Sequence, residues 1–267
     1  MEPKVSIIMS VYNGAEYLKE AIDSIIAQEY KNWEFVICND GSTDNTQEIL
    51  DEYKARLPEH FILLKNEQNR RLPHSLNKCL KYCNGELIAR MDGDDICPSD
   101  RLRKQVSFLQ NHPDFQLVGT QMRRFDDHGM HDIVSIDEFP AKEILKRGVT
   151  FCHATIMTYK YVYDQLHGYN ETIPRSQDYD LWFRFYHHGF KGYNIQEPLY
   201  YVREDIHAIR RRTIRNRWDI MKLQYHGYHL LHFPFYWYGY PVIQLLKFLI
   251  PAWGWRLFRG WQANHSL

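Results

Sequence analysis

Short apolar runs alternate with stretches of helical spacing throughout the first hundred residues. The apolar runs are Val5–Met9, Trp33–Cys38, Phe61–Leu64 and Leu87–Met91. Between them, apolar residues recur at the three- and four-residue intervals of an amphipathic helix. Such an alternation builds a parallel sheet, because each helix carries the chain back to the edge where the next strand begins. The sequence therefore predicts an α/β fold with a doubly wound, mostly parallel sheet.

The predicted helices of this half are Ala15–Gln28, a helix from Asp44 to about Leu57, and Ser75–Tyr82. Asp44, with Gln47 three residues later, is expected to cap the second of them. A dinucleotide-binding domain would carry G-x-G-x-x-G after the first strand, where this chain has VYNG instead. The pattern therefore argues against a dinucleotide cofactor.

The fourth apolar run ends in a cluster of acidic residues, in which Asp92, Asp94 and Asp95 surround Gly93. Ligands of open α/β sheets bind at the carboxyl ends of the strands. Closely packed carboxylates repel one another unless a cation lies among them, and oxygen ligands favour Mg²⁺ or Mn²⁺. The alternative is an ordinary Asp-Gly turn before the next helix, and these residues alone leave both interpretations open.

The second half shows a different pattern. Between Leu117 and Ile136, short strand-like segments flank a turn at residues 126–129, which predicts mixed strand direction around a different ligand. The remaining predicted elements are helices at Arg101–Leu109 and Asp180–Tyr186 and strands at Ala154–Met157 and Leu199–Val202.

Charge and cysteine content limit the partners and the compartment. Lys+Arg and Asp+Glu are balanced at 33 each, so no overall field favours nucleic acid. The five cysteines are odd in number and lack paired C-x-x-C spacing, which is typical of free thiols in a reducing cytosol. The N-terminal residues enter a strand directly, without the pattern of a signal peptide. A cytoplasmic protein is expected.

The C-terminal segment, residues 219–267, is aromatic and follows an arginine-rich stretch. From Leu223 to Leu246 no Asp, Glu, Lys or Arg occurs, yet Pro234 and Pro241 interrupt the run. It lacks the roughly twenty consecutive, mainly apolar residues of a membrane-spanning helix. Aromatic residues beside arginines instead favour an interfacial segment on an anionic membrane. An aromatic sub-core or a homodimer contact remains an alternative.

Five stretches occur in an order typical of one enzyme family: VSIIMSVYNGAEYL, NDGSTD, GELIARMDGDDICPSDRLRKQVSFL, HATIM and GYNETIPRSQDYDLWFR. Together they resemble the family 2 glycosyltransferases, especially bacterial members that build exopolysaccharide, capsule or lipopolysaccharide. The resemblance covers roughly residues 4–203. It implies a GT-A fold, a nucleotide-sugar donor that is most often UDP-linked, and Mn²⁺ or Mg²⁺ as cofactor.

The same resemblance assigns expected roles to individual residues. Asp178 lies where the family has its general base, in a Gln-Asp pair that replaces the usual Glu-Asp. The expected metal ligands are Asp94 and Asp95. The expected nucleotide-sugar contacts are Val11, Asp40, Arg71, Asp92 and Arg203. The residues expected on the acceptor or diphosphate side are His153, Gln177 and His207.

These observations predict a GT-A domain over residues 1–218, with a nucleotide-binding half (1–97) and an acceptor half (98–218), followed by the segment 219–267. The expected enzyme is an inverting, metal-dependent hexosyltransferase. It would move one sugar to a lipid-linked glycan on the inner face of the cell membrane. A sugar-nucleotide pyrophosphorylase is one alternative, although the Gly-rich arginine loop of that class is not seen. A non-catalytic carbohydrate-binding relative is the other, and intact Asp92, Asp94 and Asp178 argue against it.

Overall fold

The computed structural model describes residues 2–146, 148–173, 176–204 and 214–246. The chain divides into two compact units, Met1–Asp205 and Ile206–Leu267. The domain boundary after Trp218 stays a prediction, and Trp218 itself lies within the helix Ile214–Leu230. The predicted site residue His207 lies outside the described residues.

The first half of unit 1 alternates strands and helices as the sequence predicts. Its elements are β1 (Val5–Val11), α1 (Leu18–Ile26), β2 (Trp33–Asn39), α2 (Thr46–Arg56), β3 (Phe61–Lys65), α3 (Leu72–Tyr82), β4 (Leu87–Arg90) and α4 (Arg101–Asn111). The predicted start of α1 at Ala15 is wrong, because the residues after Gly14 form a turn. Helix α3 begins earlier than predicted, with Pro73 in its first turn, where a missing N–H costs nothing.

The second half is less regular. Its elements are β5 (Leu117–Asp126), β6 (Gly129–Val134), β7 (Met157–Tyr159), α5 (Lys160–Gln165), α6 (Gln177–His187) and β8 (Gly192–Arg203), with 3₁₀ helices at Lys142–Lys146 and His153–Thr155. The hairpin predicted between Leu117 and Ile136 is confirmed. The position of the strand predicted at Ala154–Met157 is wrong. A 3₁₀ helix occupies its first two residues, and β7 begins only at Met157.

These strands form one sheet in the order β3-β2-β1-β4-β7-β5-β6, with β8 beside β5. The first four are parallel to one another, whereas β7 runs antiparallel to both β4 and β5. This confirms a mostly parallel sheet with a mixed second half. The strand order reverses direction at β1, so the crevice between the carboxyl ends of β1 and β4 is the expected ligand site.

The core lies on both sides of the parallel strands. Every residue of β2 and of β4 is buried, as a strand covered by helices on both faces requires. An aromatic group of Trp33, Phe35 and Phe61 packs on Tyr53 of α2. Full burial of one such side chain stabilises the fold by about 1.5–3 kcal/mol. A rigid sheet therefore supports the loops at its carboxyl edge.

The capping box predicted for α2 does not form, because Asn45 and not Asp44 is the N-cap residue, although Asp44 does bond to the first residue of the helix. Its Oδ1 accepts hydrogen bonds from the N–H and the hydroxyl of Thr46, at 3.1 and 2.6 Å. Its Oδ2 accepts the N–H of Ala15 at 3.1 Å. Gln47 bonds to other side chains instead of closing a capping box. Asp44 thus ties the loop after β1 to the start of α2.

Unit 2 is described from its helix α7 (Ile214–Leu230) through a 3₁₀ helix (Phe235–Tyr238) to α8 (Gly239–Leu246). Tyr228 is fully buried, and its ring lies 5.4 Å from that of Phe233. Phe235 and Tyr236 are 86% and 66% exposed. Within the described ranges, no helix combines the length and apolar character needed to cross a bilayer.

Candidate active site

The acidic turn, residues 92–95, follows β4 at the carboxyl edge of the sheet, beside the end of β1. Cγ2 of Val11 lies 3.4 Å from the position that a Cβ on Gly93 would take. The N–H of Asp92 donates to the Tyr200 hydroxyl at 3.1 Å, and the Asp92 carboxylate pairs with the Arg90 guanidinium. The turn therefore lies at the point where the strand order reverses, and β8 holds its main chain.

Asp95 is the buried member of the turn. Its carboxylate accepts the N–H of Arg203 at 2.8 Å. Next to this contact, Ile96 and Tyr201 exchange two main-chain hydrogen bonds of 3.1 and 2.8 Å. A short antiparallel bridge thus fixes the exit of the acidic turn against β8.

Burial and neighbouring carboxylates raise the pKa of two residues of this turn, Asp94 and Asp95. Burial, followed by the charges of Asp92 and Asp94, raises the pKa of Asp95 to about 8. Asp94 is exposed as a residue, yet protein atoms surround its carboxylate and displace water from it. This desolvation, followed by the charge of Asp92, raises the pKa of Asp94. A divalent cation among these oxygens would favour the ionised forms, and oxygen ligands are those that Mg²⁺ and Mn²⁺ prefer. The donor set therefore fits the expected metal.

Another group of potential metal ligands lies on the β5–β6 hairpin and the end of β8. Among the described residues, ligand atoms of Asp126, His131 and Glu204 lie within 4.8 Å of one another, and the predicted ligands Asp94 and Asp95 are not in that group. His131 pairs with Asp126 at 2.9 Å, and Arg124 with Glu204 at 3.6 Å. Ion pairs account for this cluster.

Two fully buried arginines lie beneath the acidic turn. Arg90 pairs with Asp92, and Nη2 of Arg101 donates to the Arg90 carbonyl at 2.8 Å. The Arg101 guanidinium also lies over the Tyr200 ring, with Cζ 4.9 Å from the centroid. These cations offset part of the charge of the turn. Neither arginine was predicted as a site residue, although an arginine inside the apolar strand β4 is a signal that could have found Arg90.

Asp40 follows β2 and is buried. Its Oδ1 accepts hydrogen bonds from Nδ2 of Asn66 at 2.7 Å and from the N–H of Arg70 at 2.8 Å. The next residue, Gly41, has a φ of 76°, and a Cβ there would lie 2.5 Å from a main-chain atom of Gln68. Only glycine fits that approach. Asp40 therefore has the turn role that its sequence suggests and also holds the 66–70 loop against the sheet.

Arg71 stands immediately before α3 and is exposed. Its φ of 72° is uncommon for a residue with a side chain, and its N–H donates to Oδ1 of Asn69 at 3.1 Å. Because the N–H of the preceding Arg70 bonds to Asp40, the Arg71 main chain is close to that carboxylate. The structure thus brings Asp40 and Arg71 to one loop.

Asp178 is the second residue of α6 and is half-buried. Desolvation raises its pKa, and the N–H groups of Tyr179 and of Asp178 itself offset only part of that effect. A carboxylate with a raised pKa is a better proton acceptor near neutral pH. Ser176 stands at the N-cap position of α6 and has left-handed backbone, and its side chain makes no capping hydrogen bond.

His153 is the first residue of the 3₁₀ helix before β7 and contacts a buried tyrosine pair. Its Nε2 is 2.8 Å from the Tyr169 hydroxyl, which in turn is 2.8 Å from the Tyr163 hydroxyl. Desolvation and the charge of Arg90 lower the pKa of His153 to about 3, so its imidazole is neutral. Burial raises the pKa of Tyr169, and the charge of Asp178 adds to that effect. Gln177 is buried at the start of α6.

Arg203, the last residue of β8, is engaged within the protein. Its guanidinium pairs with Glu20 at 2.6 Å and with Asp127 at 3.2 Å, and Nε donates to the Asp94 carbonyl at 3.1 Å. The expected contact with the donor would compete with these bonds. The guanidinium of Arg203 thus bonds to protein groups, whereas the resemblance suggests that it contacts the nucleotide-sugar.

Comparison with known proteins decides the family. The family described as Glycosyl transferase family 2 matches residues 6–168. The chain belongs to this family. EpsE of Bacillus subtilis (strain 168), named as a glycosyltransferase, is 43% identical to this family 2 glycosyltransferase over 252 residues, which cover 94% of this chain and 91% of EpsE. TuaG of the same strain, named for teichuronic acid biosynthesis, is 26% identical over 94% of this chain and 93% of TuaG.

Solved structures of low sequence identity share the fold. S. aureus TarS 1-349 in complex with UDP-GlcNAc aligns with a TM-score of 0.69 at 19% identity, over 84% of this chain and 66% of that one. The mannosyltransferase PcManGT from Pyrobaculum calidifontis, in complex with GDP-Man and Mn²⁺, aligns with a TM-score of 0.66 at 18% identity, over 100% of this chain and 81% of that one. The predicted GT-A type fold is confirmed. Membership of family 2 also favours glycosyl transfer over the pyrophosphorylase alternative.

Proposed function

We propose that this family 2 glycosyltransferase moves one sugar, with inversion, from a UDP-sugar to a hydroxyl of a lipid-linked glycan in surface polysaccharide synthesis. The observation that carries the proposal is a chain of neighbours. Burial and the charge of Asp178 raise the pKa of Tyr169, and the Tyr169 hydroxyl lies 2.8 Å from Nε2 of His153. Burial and the charges of Arg90 and Asp92 in turn influence the pKa of His153. These contacts link the proposed base to the carboxylate-rich turn through His153 and Tyr169, which supports the proposal that both act on one substrate.

Donor binding is assigned to the edge formed by β1, β2 and β4. Asp40 is the proposed acceptor for the N3–H of uracil, since two protein N–H groups already orient its carboxylate. Val11 and Arg71 would contact the nucleotide and Asp92 the ribose. The UDP-GlcNAc complex of TarS supports a uridine donor, whereas the GDP-Man complex of PcManGT makes a guanosine donor the alternative to test.

The proposed metal ligands are Asp94 and Asp95. A bound Mn²⁺ or Mg²⁺ supplies Lewis acidity that stabilises the negative charge developing on the departing diphosphate. The protein's own contribution is to hold the two carboxylates in the turn, through the Asp95 contact with β8 and the buried arginines beneath.

Asp178 is the proposed general base. It would take the proton from the acceptor hydroxyl as that oxygen attacks the anomeric carbon from the face opposite the diphosphate. The bond to the diphosphate breaks as the new glycosidic bond forms, so no covalent enzyme intermediate is needed. Neutral His153 and buried Gln177 would orient the acceptor or the diphosphate by hydrogen bonds, since neither carries a charge.

The C-terminal unit is the proposed contact with an anionic membrane surface on the cytoplasmic side. Phe235 and Tyr236 project from the turn between α7 and α8, and Trp218 on α7 is 48% exposed. No acidic residue follows Asp219 before the end of α8. Exposed aromatic residues in a segment without acidic groups favour reversible interfacial binding. A homodimer contact is the competing use of the same residues.

The decisive experiment is a panel of UDP- and GDP-sugars tested for thermal shift with and without Mn²⁺, followed by mass spectrometry of products formed on a lipid-linked acceptor. We expect one UDP-sugar to raise the melting temperature only with metal and to be consumed by the wild-type enzyme. A GDP-sugar giving the larger shift would reassign the base. Absence of stabilisation and of donor turnover across the panel would contradict the proposal.

A further inference from the structure

Arg203, at the end of β8, bonds to three other parts of unit 1: the acidic turn, α1 and the β5–β6 hairpin. Its N–H donates to the Asp95 carboxylate at 2.8 Å, and Nε donates to the Asp94 carbonyl at 3.1 Å. Its Nη2 bonds to Glu20 of α1 at 2.6 Å, and its Nη1 bonds to Asp127 of the β5–β6 hairpin at 3.2 Å. Each nitrogen of the residue therefore has a protein acceptor.

Two aromatic rings lie close to the same guanidinium. Its Cζ lies 4.0 Å from the centroid of the Tyr17 ring and 4.5 Å from that of the Phe125 ring. The side chain is 9% exposed. A planar cation that contacts two rings and is hydrogen-bonded along its edges has one favoured orientation. To bind a diphosphate, it would have to leave the rings or exchange its carboxylate partners.

The contacts constrain the two proposed metal ligands together. The Arg203 guanidinium bonds to the main-chain carbonyl of Asp94, and the Arg203 main-chain N–H bonds to the carboxylate of Asp95. The path of the chain at Asp94 and the orientation of the Asp95 side chain are therefore both tied to this residue. Groups that orient metal ligands in this way typically contribute 10- to 100-fold to metal affinity. We infer that Arg203 is a positioning residue, which holds the acidic turn in the conformation that binds metal. It is not a ligand of the donor diphosphate. This inference rests on the proposed function.

The test is Mn²⁺ binding, measured from the free Mn²⁺ signal by electron paramagnetic resonance, with the full chain alone and with UDP. Arg203→Lys keeps the charge but has no planar fork, so it cannot stack and bond to the three partners at once. We expect its Mn²⁺ dissociation constant to rise by roughly 10- to 100-fold. Its affinity for UDP without metal, measured by calorimetry, should change less than about threefold, well under one decade of affinity.

Two further variants guard against a mere loss of folding. Arg124→Lys is the matched control, since Arg124 is a half-exposed arginine of β5 with carboxylate partners but no contact to the acidic turn, and we expect wild-type Mn²⁺ binding. The double variant Glu20→Gln, Asp127→Asn removes only the exposed partners of Arg203. It should weaken Mn²⁺ binding in the same direction by a few fold, as expected for exposed ion pairs.

The results separate the two roles. If Arg203→Lys weakens metal-free UDP binding by tenfold or more while Mn²⁺ binding is unchanged, Arg203 is a donor ligand and the inference is wrong. Tighter UDP binding by the double variant would point the same way, because it would show a freed guanidinium reaching the diphosphate. If the wild-type chain binds no Mn²⁺ with or without UDP, the proposed metal site itself fails, and the positioning role fails with it.

Discussion

Replacing Asp178 by Asn tests the proposed base most directly. The amide keeps the size of the side chain and an oxygen that can accept the N–H of Tyr179, but it cannot take a proton from the acceptor hydroxyl. Loss of general-base catalysis typically lowers the rate by roughly 10² to 10⁴, which corresponds to about 2.7–5.5 kcal/mol of transition-state stabilisation. We expect a fall in kcat of this size, with the donor dissociation constant unchanged within a few fold.

The same substitution has a predictable effect on stability. Because desolvation raises the pKa of Asp178, the ionised carboxylate is less favourable in the folded chain than in the unfolded one. That cost is fully present above the folded pKa, is lost as pH falls through it, and is absent below the ordinary Asp value of about 3.9. Asp178→Asn should therefore melt at or above the wild-type temperature at pH 7–8, and the difference should shrink on acidification.

A matched control lies one half-turn away on α6. Asp180 is paired with Nη2 of Arg184 at 2.6 Å, so Asp180→Asn removes an equal charge from the same helix while breaking an ion pair. We expect it to lower the melting temperature and leave kcat within a few fold. Single-turnover rates and melting curves of both variants between pH 4 and 8 are the measurements. An Asp178→Asn enzyme with wild-type kcat, or one that loses donor binding in calorimetry, would refute the assignment.

Three other predictions concern the metal site, the nucleotide site and the C-terminal unit. Asp94→Ala should abolish both turnover and the stabilising effect of Mn²⁺ with UDP in thermal shift, and equal wild-type activity in excess EDTA would contradict the metal role. Asp40→Asn should weaken UDP binding by about tenfold in calorimetry, the loss of one hydrogen bond to a charged acceptor, and unchanged affinity would show that the carboxylate only shapes the turn. The double variant Phe235→Ser, Tyr236→Ser should reduce flotation with anionic liposomes at low salt, with Met130→Ser, a half-exposed residue of β6, as control. Equal flotation of all three proteins would count against membrane binding, and a change in mass in solution would favour the dimer.

The parallel half of the fold follows from the sequence because its signals are local. Each of β1, β2 and β4 is an apolar run that needs burial on both faces, and these strands were predicted within two residues at each end. The 3₁₀ turn at His153–Thr155 was not predictable in this way. Its contacts include one with a residue distant in the chain, because the Thr155 hydroxyl accepts a hydrogen bond from the N–H of Thr120 at 3.2 Å.

The candidate site shows the same limit. Asp92, Asp94 and Asp178 stand in recognisable stretches, so the resemblance could assign them. The neighbours that tune them are distant in the chain: Tyr200 meets Asp92 across 108 residues, and Arg203 meets Glu20 across 183. Spacing along one sequence carries no signal for such pairs. The observed contacts of Arg203 are therefore the part of the site that only the structure could supply.

The bond between Asp95 and the N–H of Arg203 also has a consequence for synthesis on the ribosome. The two residues are 108 positions apart. At 5–20 residues per second, the acidic turn is made roughly 5–20 s before the strand that fixes it. During that interval the nascent chain carries three neighbouring carboxylates without their last partner. A chain whose translation stops before β8 keeps every carboxylate of the turn but lacks the strand that orders them.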